Sequence, residues 1–133
     1  YDIGGASGAQ TIYVLNNTLY AGGSPAGFGS QGVPGQFFIL DITTPSAPAV
    51  LGTKTIGGTP YGLLSNGVLG ITGSNKSPLG KEFQIWDVST PSNIQLCSST
   101  DFNTPVTSMV SQNGYYYATL KSNTDPLRIV KLY

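Results

Sequence analysis

Residues Phe37–Ala47 read FFILDITTPSA, and 46 positions later Phe83–Asn93 read FQIWDVSTPSN. Setting one phrase on the other brings the rest of the chain into register, and internal repetition is the first thing a sequence of this kind must be tested for. Upstream of each phrase lies a candidate hairpin, TIYVLNNTLYAGG (11–23) and YGLLSNGVLGITG (61–73). A third follows as VTSMVSQNGYYYATL (106–120). The dipeptides Asn17-Thr18, Asn66-Gly67 and Asn113-Gly114 stand at matching places, and Asn-Gly supplies the positive φ angles of a two-residue type I′ turn. After the third hairpin, LRIVKLY takes the place of the two opening phrases.

Each full unit reads as four strands: the hairpin pair, the Phe-x-Ile-x-Asp run, and then AVLGTKTI or IQLCSST. Gly and Pro, 27 residues together, punctuate the whole chain, and no helical spacing of apolar residues emerges. The expected class is therefore all-β. Its units are antiparallel four-stranded blades of a β-propeller, about three in number, with the last lacking its outer strand. The boundaries are 2–56, 57–101 and 102–133. The third strand supports this choice because both its faces are apolar: Phe83 and Ile85 point one way, Trp86 and Val88 the other. A blade sandwiched between neighbours needs that two-sided burial, whereas a solvated sheet would alternate. Each large side chain so buried contributes roughly 1.5–3 kcal/mol. The end of the phrase is punctuation: Asp41 and Asp87 can accept N–H groups of the turn, and Pro45 and Pro91 stop the ladder and fix φ.

FFILDITTPSAP and FQIWDVSTPSN resemble the LVIVD-type repeat, a propeller blade motif of bacterial and archaeal surface proteins in which an apolar strand ends in Asp and runs into a Ser/Asn-Pro turn. NGYYYATL resembles the Tyr-rich second strand that accompanies it. The resemblance implies surface display, including at the tips or bodies of pilin-like subunits. The third unit departs from it, with Lys131 where the others have Asp. Trp86-Asp87 invites comparison with WD-repeat propellers, but the histidine-centred network of that family has no counterpart in a chain with no histidine.

Only 9% of the 133 residues are charged, six basic against six acidic, so hydroxyls and amides (28 Ser and Thr, eight Asn) must keep the surface in water. Roughly a quarter would be ordinary. Such a surface suits a secreted, glycosylated or densely packed protein. Scattered, balanced charge argues against nucleic acid and anionic membranes as partners. There is no run of about 20 apolar residues, so direct membrane insertion is not expected. Tyr1 opens the chain, which suggests an N-terminus made by processing or excision. Cys97 has no partner for an internal disulfide and reads as a small buried hydrophobe.

Strand bookkeeping leaves two apolar blade faces unmatched. The expectation is a piece of a longer polypeptide, self-association such as two sets of three blades closing a ring, or a filament joined by strand exchange. His-dependent catalytic and zinc patterns are unavailable, no Asp-rich calcium loop occurs, and no catalytic residue, metal or cofactor is expected. The loops joining second and third strands, 22–36, 73–82 and 121–126, should project from one face and carry any binding residues, with Phe28, Lys76, Lys81 and Asp125 as candidates. The Gly-x-Gly spacings of the first loop follow no βαβ unit and are no phosphate loop. Tyr115, Tyr116 and Tyr117 resemble a sugar-stacking platform but stand on a strand expected to be covered on both faces. Asn75 and Asn16 begin N-glycosylation triplets, with Asn75 on the more open loop. The expected function is a non-enzymatic extracellular module, a cell-surface or filament subunit acting in assembly or adhesion. A carbohydrate-binding propeller, or a fragment of a propeller enzyme, is the alternative.

Overall fold

A computed structural model describes residues 8–24, 34–75 and 81–132 of the chain. Its architecture is all-β, with three antiparallel sheets and no α-helix among the described residues. The first sheet runs β1 (Ala9–Leu15), β2 (Thr18–Gly23), β3 (Gly35–Asp41), β4 (Ala49–Ile56) in spatial as in chain order. The second repeats this with β5 (Pro60–Ser65), β6 (Leu69–Ser74), β7 (Phe83–Asp87) and β8 (Gln95–Thr100). The third has β9 (Val106–Gln112), β10 (Tyr115–Leu120) and β11 (Leu127–Lys131). None of the sheets closes on itself. No helix of the described residues is long and apolar enough to cross a membrane.

The hairpin turns follow from Asn and Gly, with shifts from the sequence expectation. Asn113 and Gly114 form the β9–β10 turn at φ 52° and 78°, as Asn-Gly should. The β1–β2 turn sits one residue earlier than expected, at Asn16-Asn17, because Leu15 pairs with Thr18 and Asn16 takes the positive φ of 53°. In the second sheet the tip is one residue later. Gly67 (φ 90°) and Val68 form it while the Asn66 side chain accepts the N–H groups of Val68 and Leu69.

The sheets are layered in chain order through their first strands, β1 beside β5 and β5 beside β9. For each sheet we call the face directed at the next sheet forward and the opposite face rear. Between the first two sheets, Tyr20, Phe37 and Ile39 pack against Leu63, Trp86 and Val88. Between the second and third, Leu64, Ile71 and Phe83 meet Val106, Met109 and Leu120. The two-faced strand β7 thus works as its sequence demands: Phe83 faces forward, Trp86 and Val88 rearward. Trp86 remains satisfied in the core because its indole N–H donates to Thr72 Oγ1 at 3.1 Å.

The repeated Asp turns have the predicted chemistry. Asp41 Oδ1 accepts the Thr43 N–H at 2.8 Å, and Asp87 Oδ1 accepts the Ser89 N–H at 3.0 Å and its hydroxyl at 2.6 Å. These hydrogen bonds to the charged form hold both carboxyls below the ordinary aspartate value, the side-chain bonds from Thr43 and Ser89 having the largest effect. Pro91 opens a single 3₁₀ turn, Pro91–Asn93, which rests on β4 of the preceding sheet. A Cβ at Gly52 would fall 1.8 Å from the Pro91 carbonyl oxygen, so glycine is required at that contact.

Cys97 corrects the sequence reading. It lies exposed on β8, the outermost strand of its sheet, where neighbouring Leu96 is also exposed. Apolar flanks imply burial only where a strand has cover on both sides, and an edge strand does not.

Candidate functional site

Register makes the three forward faces comparable residue by residue. Tyr13, Tyr20 and Ile39 lie side by side across the first sheet, Leu64, Ile71 and Ile85 across the second, and Val110, Tyr117 and Ile129 across the third. The adjoining positions on the third strands are Phe37, Phe83 and Leu127. Ile39 and Phe37 are 1% and 0% exposed, whereas Ile129 is 58% and Leu127 48%. Alternation along β10 explains the third face. Tyr116 and Ala118 point at the second sheet, so Tyr115, Tyr117 and Thr119 point away from it.

That face holds a shallow open groove of about 300 Å³ lined by Ser108, Met109, Val110, Tyr117, Thr119 and Leu127. Its rim is aromatic and cationic, with Lys131 Nζ 5.5 Å from the Tyr115 ring centre. Its floor carries a side chain where the other two forward faces have glycine. Gly22 and Gly73 are matched on the third sheet by Thr119, whose hydroxyl lies 2.9 Å from that of Thr107. The expectation that all three tyrosines are covered therefore fails. Tyr116 packs in the core, but Tyr115 is 38% exposed and Tyr117 half-buried. The bare face is legible in the sequence only by asking which sheet follows the last hairpin.

The loop candidates are placed elsewhere. Phe28 and Lys76 lie outside the described residues. Lys81 is exposed, and Asp125 is half-buried and paired with Arg128, whose guanidinium stands over the Phe102 ring. Asn16 is exposed in its turn, while Asn75 is half-buried with Oδ1 accepting the Thr59 N–H at 2.8 Å. Asp41 and Asp87 are the last residues of β3 and β7, Pro45 stands in the turn after the first and Pro91 opens the 3₁₀ turn after the second.

One carboxylate had no signal in the sequence. Glu82, at the threshold of β7, is 2% exposed and accepts the Phe102 N–H at 2.9 Å. Burial is the main reason its pKa lies above the ordinary glutamate value, and Asp101 beside it pushes the same way. It ties β7 to the crossing between second and third sheets rather than facing a cleft. Among the described residues no three His, Cys, Asp or Glu side chains are grouped to hold a metal ion.

No protein-family model matches this chain, and no curated protein matches it either.

Proposed function

We propose that the chain is a non-enzymatic extracellular module, a cell-surface or filament subunit of pilin-like type acting in assembly or adhesion. Its three sheets serve as successive blades of a β-propeller of the LVIVD-repeat kind. The observation that carries this reading is the bare forward face of the third sheet, which bears the residue row that the first two sheets bury. Exposed apolar area organised as a contiguous face is a binding surface. The propeller arrangement is supported by the constant strand order, the adjacent first strands and the crossing from each outermost strand to the first strand of the next sheet. A sparsely charged surface rich in hydroxyls and amides supports an extracellular setting. A structural role for Asp41 and Asp87 supports the non-enzymatic reading, since both carboxylates are spent on turns.

Carbohydrate binding is the second reading, favoured by Tyr115 and Tyr117 standing on an open face beside the hydroxyls of Ser108 and Thr119. Mass spectrometry of native material, first denatured and then intact, tests the choice. A denatured mass near 13.9 kDa with a multiple of it in the intact state supports assembly. A denatured mass well above that value assigns the missing cover to the remainder of a longer chain. An intact monomer retained on immobilised glycans, and released by Tyr117→Ala, would favour the carbohydrate reading over assembly.

A further inference from the structure

We propose that the groove on the forward face of the third sheet seats β1 of a second copy of this chain, so that copies join head to tail; this rests on the assembly reading above. The internal junctions supply the rule. At both, the first strand of the following sheet lies across the first two strands of the preceding one: β5 across β1 and β2, β9 across β5 and β6. The groove occupies the corresponding place, over β9 and β10. The matching rear strip is open on β1, where Ile12 is 65% and Val14 51% exposed. The remainder of that rear face, Ala21, Phe38 and Leu40, is already buried, so the strip left open is that of the first strand, the strand that crosses the preceding sheet at both internal junctions.

Side-chain size identifies the occupant. At the first junction Gly22 sits against Pro60, and at the second Gly73 sits against Val106. In each case a Cβ on the glycine would come within 2.5 Å of the larger partner. The register places Thr119 where Gly22 and Gly73 stand, and Ala9 where Pro60 and Val106 stand. A larger residue on the forward side would therefore meet a smaller one on the rear side, which keeps the volume of the junction. Beside it, Gly62 meets Met109 in the second junction, and their equivalents are Ser108 and Ile12. A third sheet pressed against another third sheet would oppose Thr119 to side chains with no such allowance. Head-to-tail contacts use two different surfaces, so they either close a ring or run on as a filament.

The test is sedimentation of the 133-residue chain over a concentration series, with circular dichroism to verify folding, for the wild type and for Val110→Asp and Ile12→Asp. Both positions are exposed, so both variants should fold. Each should weaken association about thirty-fold or more, as loss of a central contact does. An equimolar mixture of the two should recover association and stop at two chains, because one intact junction remains. Ala9→Val should weaken association, and Ala9→Val with Thr119→Gly should restore it by reproducing the internal pairing. If Val110→Asp separates the chains and Ile12→Asp does not, head-to-tail joining is overturned while the assembly reading survives. If the double variant associates no better than Ala9→Val alone, the proposed seating is wrong. A wild type that stays monomeric at every attainable concentration overturns both the seating and the assembly reading.

Discussion

Phe83 and Leu127 hold the same place in two copies of one structural unit, yet the first is 1% exposed and the second 48%. Their strands and orientation correspond, but the sheet in front is different and β11, unlike β7, has no fourth strand beside it among the described residues. Burial in this molecule is thus decided by the order of the sheets more than by the hydrophobicity of the residue. The same apolar row is core on the first two sheets and exposed on the third. On the third sheet the glycine that lets a neighbour approach is replaced by Thr119 and the phenylalanine by Leu127.

The widest way to open that contrast is to truncate both members of the pair. Phe83→Ala should cost about 3–5 kcal/mol in denaturant unfolding, since it removes a ring stacked on Phe102 from a buried junction. Leu127→Ala in dilute solution should change stability by no more than about 0.5 kcal/mol. Comparable losses at the two positions would mean that the third forward face is covered in the folded chain.

A smaller effect separates Gly73 from Thr119. Alanine at 73 puts a Cβ 2.5 Å from Val106 Cγ1 and 2.9 Å from Met109 Sδ, and the overpacking should cost about 1–3 kcal/mol. Thr119→Ala faces the groove and should stay within about 0.5 kcal/mol in the separated chain. Thermal melts of the two variants beside the wild type decide the matter. A neutral Gly73→Ala would show that the second junction is looser than its contacts indicate.

The turns extend the comparison to the first and second sheets. Asp87→Ala should lower the unfolding midpoint more than Asp41→Ala, because the turn that Asp87 fixes leads into Pro91, which packs on β4. The Asp41 turn has exposed residues around Pro45 and, among the described residues, no such neighbour to hold. Equal midpoints for the two variants would remove the distinction between a turn that only ends a strand and one that also joins two sheets.

Much of this was legible in the sequence, for identifiable reasons. The repeat phrase fixed the strands and their register, and the two apolar faces of β7 announced a sheet covered on both sides. Asn113-Gly114 allowed one turn geometry, whereas Asn16-Asn17-Thr18 left two neighbouring choices open and the pairing of Leu15 with Thr18 decided between them. The groove was half legible. Tyr115, Tyr116 and Tyr117 stand out together as an aromatic run, but which of them is exposed depends on what lies against each face of the third sheet, which local pattern does not record. Cys97 departs from the burial its flanks suggest because edge strands keep the composition of inner ones. Glu82 had no signal at all: its counterpart in the first sheet is Gln36, and nothing in Lys-Glu-Phe distinguishes a solvated carboxylate from a buried one.

That difference between Glu82 and Gln36 yields the smallest of the expected effects, and its sign is opposite to that of the aspartate turns. A buried carboxyl whose folded pKa lies above the ordinary value of 4.5 binds its proton more tightly in the native state than in the unfolded chain. Stability should then rise as pH falls from above the folded pKa of Glu82 towards 4.5, where the unfolded chain also takes up the proton and the gain is complete. Asp41 and Asp87 work the other way: their folded pKa values lie below 3.8, so what they contribute is fully present above 3.8 and is lost as pH falls through those values. Unfolding midpoints measured from pH 7 downward should therefore pass through a shallow maximum near pH 4 before declining. Glu82→Gln keeps an oxygen for the Phe102 N–H but has no proton to gain, and should flatten the rising limb while leaving the acid limb in place. If the rising limb persists in Glu82→Gln, the carboxyl at the second crossing is not the group that titrates.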